Sequence, residues 1–199
     1  YFMNIATFIT ARLKSKRLKK KVLLPIMGKP MIGHLIDRLR LSNESKKIVI
    51  CTSTVTQDDE LESFAKEYGV DCFRGHPDDV MVRLRDAATK YKIDLISSCT
   101  ADNPLIDPVS MDDLIKYHID GNYDFSKSEN IPFGTFTMAV NSNSLNQACK
   151  IKDSIDTEFW PQYFLKTDFF KIGTLIHEDK KIARPELRLT VDEKSDFDL

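Results

Sequence analysis

The sequence has no surplus of either charge: 29 lysines and arginines stand against 30 aspartates and glutamates, for a formal net charge of -1. A domain that grips nucleic acid generally carries excess positive charge, so no nucleic-acid partner is expected. No apolar run approaches the roughly 18 residues a helix needs to cross a bilayer. The first residues also lack the basic, apolar and small-residue order of a secretory signal, and a cytoplasmic place with no membrane contact is expected. Cys51, Cys72, Cys99 and Cys149 stand far apart without a C-x-x-C pair, which argues against zinc or dithiol chemistry. Those that fall in strand-like runs are expected to be reduced, buried thiols. There is no internal repeat, low-complexity tract or linker. With 199 residues, 42% of them hydrophobic, the chain reads as one domain, residues 1–199, able to bury a continuous core. Tyr1 and Phe2 ahead of Met3 read as additions, and residues 196–199 read as a helix cut in its first turn, so the natural chain is expected to run past Leu199.

What the sequence does have is rhythm. Residues 4–10 (NIATFIT), 47–53 (KIVICTS) and 94–100 (DLISSCT) are short, apolar and largely β-branched, the pattern of strands buried on both faces. Helical stripes follow: Ile32, Leu35, Ile36 and Leu39 behind Pro30 as a first-turn proline, then Leu61, Phe64, Ala65 and Tyr68 closed by Gly69. Val80, Leu84, Ala87, Ala88 and Tyr91 form a third, and Pro108 opens a fourth through Leu114, Ile115, His118 and Ile119 to Gly121. Strands alternating with helices at this spacing predict an α/β fold, a mostly parallel twisted sheet with helices on both faces. Past Gly121 the pattern predicts strands at 123–128, 133–142, 169–177 and 187–191, with one or two helices within 144–164.

In an open parallel sheet, ligands bind outside the carboxyl ends of the strands. The first predicted strand is followed by residues 11–25, ARLKSKRLKKKVLLP, nearly half of them basic. The strand at 94–100 runs into ADNPLIDP, and the strand at 187–191 into Asp192. A cationic loop and two carboxylates on one edge suit a phosphate chain with a divalent ion. Each feature also has a plainer reading. A basic run serves as a solvated face or a localisation signal. An aspartate in D-N-P-L serves as a turn former or helix cap, and Asp192 as the cap of a helix over 193–199. No aromatics interleave with the basic run as stacking platforms for single-stranded nucleic acid would.

Four motifs, in order, cover almost the whole chain. ARLKSKRLKKKVLLPIMGKP resembles the A-R-x-x-S-x-R-L-x-x-K-V-L-x-x-x-x-G-K-P opening of bacterial cytidylyltransferases of the acylneuraminate and ketodeoxyoctonate family. FRGHPDDVMVRLRDAA is similar to the F-R-G-x-x-D-D-V-L-x-R-x-x-x-A-A of that family's spore-coat polysaccharide group. TADNPLIDP and LRLTVDEKSDFDL resemble its T-G-D-C-P-L-I-D-P and L-R-x-T-V-D-x-x-x-D-L.

The resemblance implies a Rossmann-like nucleotidyltransferase that joins a sugar or sugar acid to CMP from CTP and releases pyrophosphate. Carried over by position, Ala11, Arg12, Ser15, Arg17 and Lys21 form the triphosphate loop, with Arg17 and Lys21 steadying the leaving pyrophosphate. Thr100 and Asp102 belong to the middle loop, and Asp102 and Asp192 together hold Mg²⁺. Arg74, Gly75, Asp78 and Asp79 border the nucleoside, and Gly134, Thr135 and Thr137 fall in the acceptor segment. A homodimer is implied, with the aromatic-rich residues 159–170 and Trp160 as either its contact or ordinary core. The sequence departs from the pattern at Lys14 for Gly, at Lys19 and Lys20 for Pro-Gly, and at Ala101 for Gly. The acidic residues common in the acceptor segment are missing from 132–138, so neither N-acetylneuraminate nor ketodeoxyoctonate is expected to be a good acceptor. An extended stretch over 133–140 would set Thr135 and Thr137 on one face, opposite Phe136, Met138 and Val140. Two rivals are a glycosyltransferase, which would use a D-x-D pair where Asp102 is followed by Asn103 and Pro104, and a nucleotide-binding protein whose altered loop has lost catalysis.

Overall fold

The structure is a computed structural model that describes residues 3–15 and 17–199; Tyr1, Phe2 and Lys16 lie outside the described residues. In chain order it runs β1 (Ile5–Thr10), a short hairpin of β2 (Pro25–Ile26) and β3 (Lys29–Pro30), α1 (Met31–Leu39), β4 (Lys47–Ser53), α2 (Asp59–Tyr68), β5 (Asp71–Gly75) and α3 (Val80–Tyr91). It continues with β6 (Leu95–Thr100), α4 (Pro108–Asp120), β7 (Phe125–Glu129), β8 (Met138–Asn141), α5 (Ser142–Ile151), α6 (Gln162–Leu165), β9 (Ile172–Ile176) and α7 (Lys194–Phe197). Among the described residues, no helix is long and apolar enough to cross a membrane.

Seven strands form one sheet in the order β5-β4-β1-β6-β8-β7-β9. β8 runs antiparallel to β6 and β7, and the other pairings are parallel. Alternation along each strand divides the core into two layers. Ile9, Ile50 and Cys99 pack with Leu35, Leu61 and Leu114 of α1, α2 and α4. Phe8, Val49 and Cys51 pack on the other face with Met81, Leu84 and Leu145 of α3 and α5. Trp160 belongs to that second layer, edge-on to Phe125 and Phe164, so it is core; Phe159 and Phe169 stand exposed beside it. Burial pushes the thiols of Cys72 and Cys149 up to about 11 and that of Cys99 to about 12, so none is a reactive thiolate at neutral pH.

Local signals place the helices. Asp107 caps α4 through the Ser110 N–H with Pro108 in the first turn, and Gly69 closes α2 in the left-handed conformation. Pro30 stands at the cap position of α1, one residue before the first turn expected for it, because the Met31 N–H is taken by the Leu24 carbonyl.

Three strand expectations are corrected. β5 escaped the pattern because it is an edge strand, half-buried at every position and broken by Asp71 and Arg74. The strand expected over 133–142 is regular only at Met138–Asn141, because Gly134 turns the chain at φ 96°. Residues 187–191 form no strand; they meet residue 133 in a single parallel bridge between Phe133 and Arg188. The two segments touch so closely that a Cβ on Gly134 would lie 2.7 Å from the Thr190 nitrogen and 2.9 Å from the Leu189 carbonyl carbon. Gly134→Ala is therefore expected to cost about 2–4 kcal/mol in denaturant unfolding, combining backbone strain with overpacking. A loss below about 0.5 kcal/mol would show that the two segments move apart freely.

Candidate active site

β1 lies between β4 and β6, so the chain leaves β1 for one neighbour on each side. In open parallel sheets that reversal is where ligands bind at the carboxyl ends, and here the basic loop after β1 and the loop after β6 meet there. Lys20 has φ 52° and ψ 29°, a left-handed conformation, and Lys21 then opens a one-turn 3-10 helix, Lys21–Leu23. The backbone thus makes the turn that a glycine would make, at a cost of about 1–2 kcal/mol for a residue with a Cβ.

Lys21 is the centre of that meeting point. Its Nζ donates to Asp102 Oδ2 at 3.0 Å, to Asp192 Oδ1 at 3.2 Å and to the Val191 carbonyl at 2.8 Å, with only 13% of the side chain exposed. The Thr100 hydroxyl donates to Asp102 Oδ1 at 2.5 Å, and Asn103 Nδ2 donates to Thr100 Oγ1 at 2.9 Å. The Asp102 carbonyl accepts from the Val191 N–H at 2.9 Å, which ties the loop after β6 to the segment carrying Asp192. Arg17 lies 3.6 Å from Asp192 and 3.5 Å from Glu193, and Arg188 also pairs with Asp192.

Neither aspartate is occupied as a cap. The cap of α7 is Glu193, in a capping box with Asp196. Asp196 takes the N–H groups of Asp192 and Glu193, and those two bonds hold its carboxyl below the usual range. Asp102 and Asp192 are left facing a point where a cation already sits, the Lys21 ammonium. Hard carboxylate oxygens converging on a positive charge suit a magnesium-like ion, so the donor set fits one. Among the described residues no group of three or more His, Cys, Asp or Glu can hold a metal by itself. Phosphate oxygens and water would complete the shell, as is usual for that ion.

A second group forms beside the first. Arg12 donates to the Pro77 carbonyl and to Asp78 Oδ1 at 3.1 Å, and Lys14 lies 3.6 Å from the same carboxylate. Those contacts hold the exposed Asp78 carboxyl below its ordinary range, the Arg12 hydrogen bond most of all. Ser15 Oγ accepts the Leu18 N–H at 3.3 Å and shapes the loop; Ala11 is buried, its N–H on the Cys51 carbonyl. Arg74 reaches the carbonyls of Ser53 and Val55 at 3.0 and 3.1 Å, and Asp59 at 2.5 Å. Gly75 passes under Phe73 and Arg83, where a Cβ would lie 2.7 Å from the Phe73 ring.

Asp79 and the acceptor residues are placed differently from expectation. Asp79 is 4% exposed and caps α3 through the Val82 N–H while pairing with Lys152 and Thr157. Burial works against its charge, but those partners hold its carboxyl below the ordinary range. Gly134 serves the close approach to residues 189–190, and Thr135 is buried with its hydroxyl on the Pro132 carbonyl. Thr137 is 1% exposed, and its hydroxyl has no partner among the described residues. The residue of this segment that is exposed is Phe133, edge-on to Phe136 at 5.8 Å and under the Arg188 guanidinium.

Asp58 and Arg188 are site residues the sequence reading missed. Asp58 is 1% exposed, yet it accepts the Leu13 N–H at 2.8 Å and the Ser53 hydroxyl, and lies 3.6 Å from Arg12 Nε. It moulds the basic loop from behind, aided by Gln57 Nε2 on the Leu13 carbonyl at 2.9 Å. Its only sequence signal was a place in the acidic start of a helix. Arg188 lies inside the L-R-x-T-V-D motif, which by itself assigns it no role.

A cationic loop facing two aspartates across the switch point of a parallel sheet is an arrangement for nucleotide phosphates. The family profile described as cytidylyltransferase matches residues 6–198, nearly the entire chain. The chain belongs to the cytidylyltransferase family. It is 30% identical to the spore coat polysaccharide biosynthesis protein SpsF of Bacillus subtilis over 98% of this chain and 84% of that one. It is 31% identical to an 8-amino-3,8-dideoxy-manno-octulosonate cytidylyltransferase of Shewanella sediminis, over 81% of this chain and 64% of that enzyme. Among solved structures, a cytidylyltransferase from Leptospira borgpetersenii superposes with a TM-score of 0.90 at 28% identity, covering 98% and 84% of the two chains. This cytidylyltransferase is thus a CTP-dependent nucleotidyltransferase, and the glycosyltransferase alternative, already short of a D-x-D pair, is not favoured.

Proposed function

We propose that this cytidylyltransferase, acting as one catalytic domain in the cytoplasm, transfers CMP from CTP to a sugar or sugar acid used in cell-surface or spore-coat polysaccharide. The observation that carries the reading is the meeting of Lys21, Asp102 and Asp192, drawn from three distant parts of the chain to one point. Arg17 and Lys21 bind the phosphates, as charge-assisted donors to oxygens that gain charge when pyrophosphate leaves. Arg12, Ser15 and Ala11, moulded by Asp58, present the loop; Arg74, Gly75 and Asp78 border the nucleoside side, and Thr100 orients Asp102. Asp102 and Asp192 would hold Mg²⁺, which when bound supplies positive charge to the phosphate under attack. A second copy of the chain is read as docking on the exposed Ile155, Phe159 and Phe169, to be checked by light scattering.

The acceptor side presents aromatic rings and Arg188, with buried threonines and no acidic residue over 132–138. A screen of CTP against sugar acids, deoxy sugars and amino sugars, read as CMP conjugates by mass, tests the assignment. Conversion of at least one sugar is expected, with N-acetylneuraminate and ketodeoxyoctonate poor acceptors. Absence of any conjugate and of pyrophosphate release across the screen would overturn the functional reading; efficient use of either named acid would overturn only its acceptor part.

A further inference from the structure

We propose that the Lys21 ammonium is a built-in occupant of the cation position between Asp102 and Asp192, and that an arriving triphosphate draws it away, so that cation capture waits for the nucleotide. The inference rests on the phosphate and metal roles given above and adds to them an order of binding. Two carboxylates facing one point repel each other unless a positive charge lies between. Lys21 supplies that charge, bonded to both aspartates and to the Val191 carbonyl. A divalent ion cannot share the position, since the ammonium both fills the space and repels it.

The aspartates are fixed from behind and the lysine is not. Asp102 is held by the Thr100 hydroxyl and by the Val191 N–H on its carbonyl; Asp192 is held by Arg188 and by Asp196 on its N–H. Lys21 reaches the same point on a four-carbon stem whose three donors can rotate to new partners. Arg17, 3.6 Å from Asp192 and well exposed, stands on the approach, so a polyanion that settles on it arrives next to Lys21. The triphosphate carries more negative charge than the two aspartates, and the exchange frees Asp102 Oδ2 and Asp192 Oδ1, the two oxygens Lys21 had held, for a cation, while Arg188 keeps the other oxygen of Asp192.

The test uses Mn²⁺ as the probe, with free ion followed by electron paramagnetic resonance and no nucleotide present. Lys21→Met is expected to bind Mn²⁺ at least tenfold more tightly than the unaltered protein, and the added change Asp192→Asn to abolish the gain. A folded Lys21→Met protein that binds Mn²⁺ no more tightly than the unaltered one would overturn the proposal. A second measurement needs no variant: amine acylation followed by mass spectrometry should modify Lys21 at least tenfold more slowly than Lys14, whose side chain is 64% exposed, and Mn²⁺ alone should leave Lys21 protected. Equal rates at the two lysines, or exposure of Lys21 by Mn²⁺ alone, would contradict it. Neither readout involves turnover, so absence of pyrophosphate release from CTP would count against the functional reading alone.

Discussion

Asp102→Asn and Asp192→Asn are each expected to slow pyrophosphate release from CTP at least about a hundredfold while leaving the fold intact, because each removes charge from the point where transition-state charge is balanced. The structure separates this effect from a stability effect. Asp192 is not the cap of α7, which Glu193 and Asp196 provide, and among the described residues the Asp102 side chain holds no backbone N–H. What ties Asp102 into the fold is its carbonyl, on the Val191 N–H, which an asparagine keeps. Circular dichroism and the melting temperature should therefore stay near those of the unaltered protein. A variant that unfolds, or that keeps more than about a tenth of the activity, would mean that the carboxylate serves the local turn and not the chemistry.

Replacing Arg17 or Lys21 by alanine is expected to weaken CTP binding by roughly ten- to a hundredfold, the range of one hydrogen bond to a charged partner, and Lys14→Ala, Lys19→Ala or Lys20→Ala by much less. The basic run is not uniform in the structure. Lys20 pairs with Glu60 of α2, and Lys14 with Asp78, whereas Arg17 and Lys21 both turn to Asp192. Titration calorimetry of the five variants at two salt concentrations distinguishes placed contacts from diffuse attraction. Equal losses at all five positions, with the same steep salt dependence, would reduce the loop to a polyanion trap.

Sequence alone was enough for the parts whose physics is local. β1, β4 and β6 are buried on both faces and read as short strand-like runs, and α1 to α4 show single apolar stripes, closed in α2 and α4 by Gly69 and Gly121. The strand order was not legible, because pairing is decided by packing across the sheet. Asp102 and Asp192 were singled out by adjacency to strand ends and by resemblance, and the structure brings both to Lys21, although residues 187–191 form no strand. The segment over 133–140 misled, because an alternation rule applies only to extended chain and Gly134 breaks it. Asp58 could not have been found, since its partner Leu13 lies 45 residues away and the bond runs to a backbone N–H that carries no side-chain signature.

The most direct test of the central claim is a thermal-shift comparison of CTP, UTP, ATP and GTP with Mg²⁺ on the unaltered protein. A ligand present at a hundred times its dissociation constant adds about 2.7 kcal/mol of stability, worth roughly 5–10 °C in a chain of this size. A cytidylyltransferase must read the base as well as the phosphates, so CTP is expected to raise the midpoint by several degrees more than the other three; equal shifts for all four would contradict the account, leaving a phosphate site with no cytosine recognition.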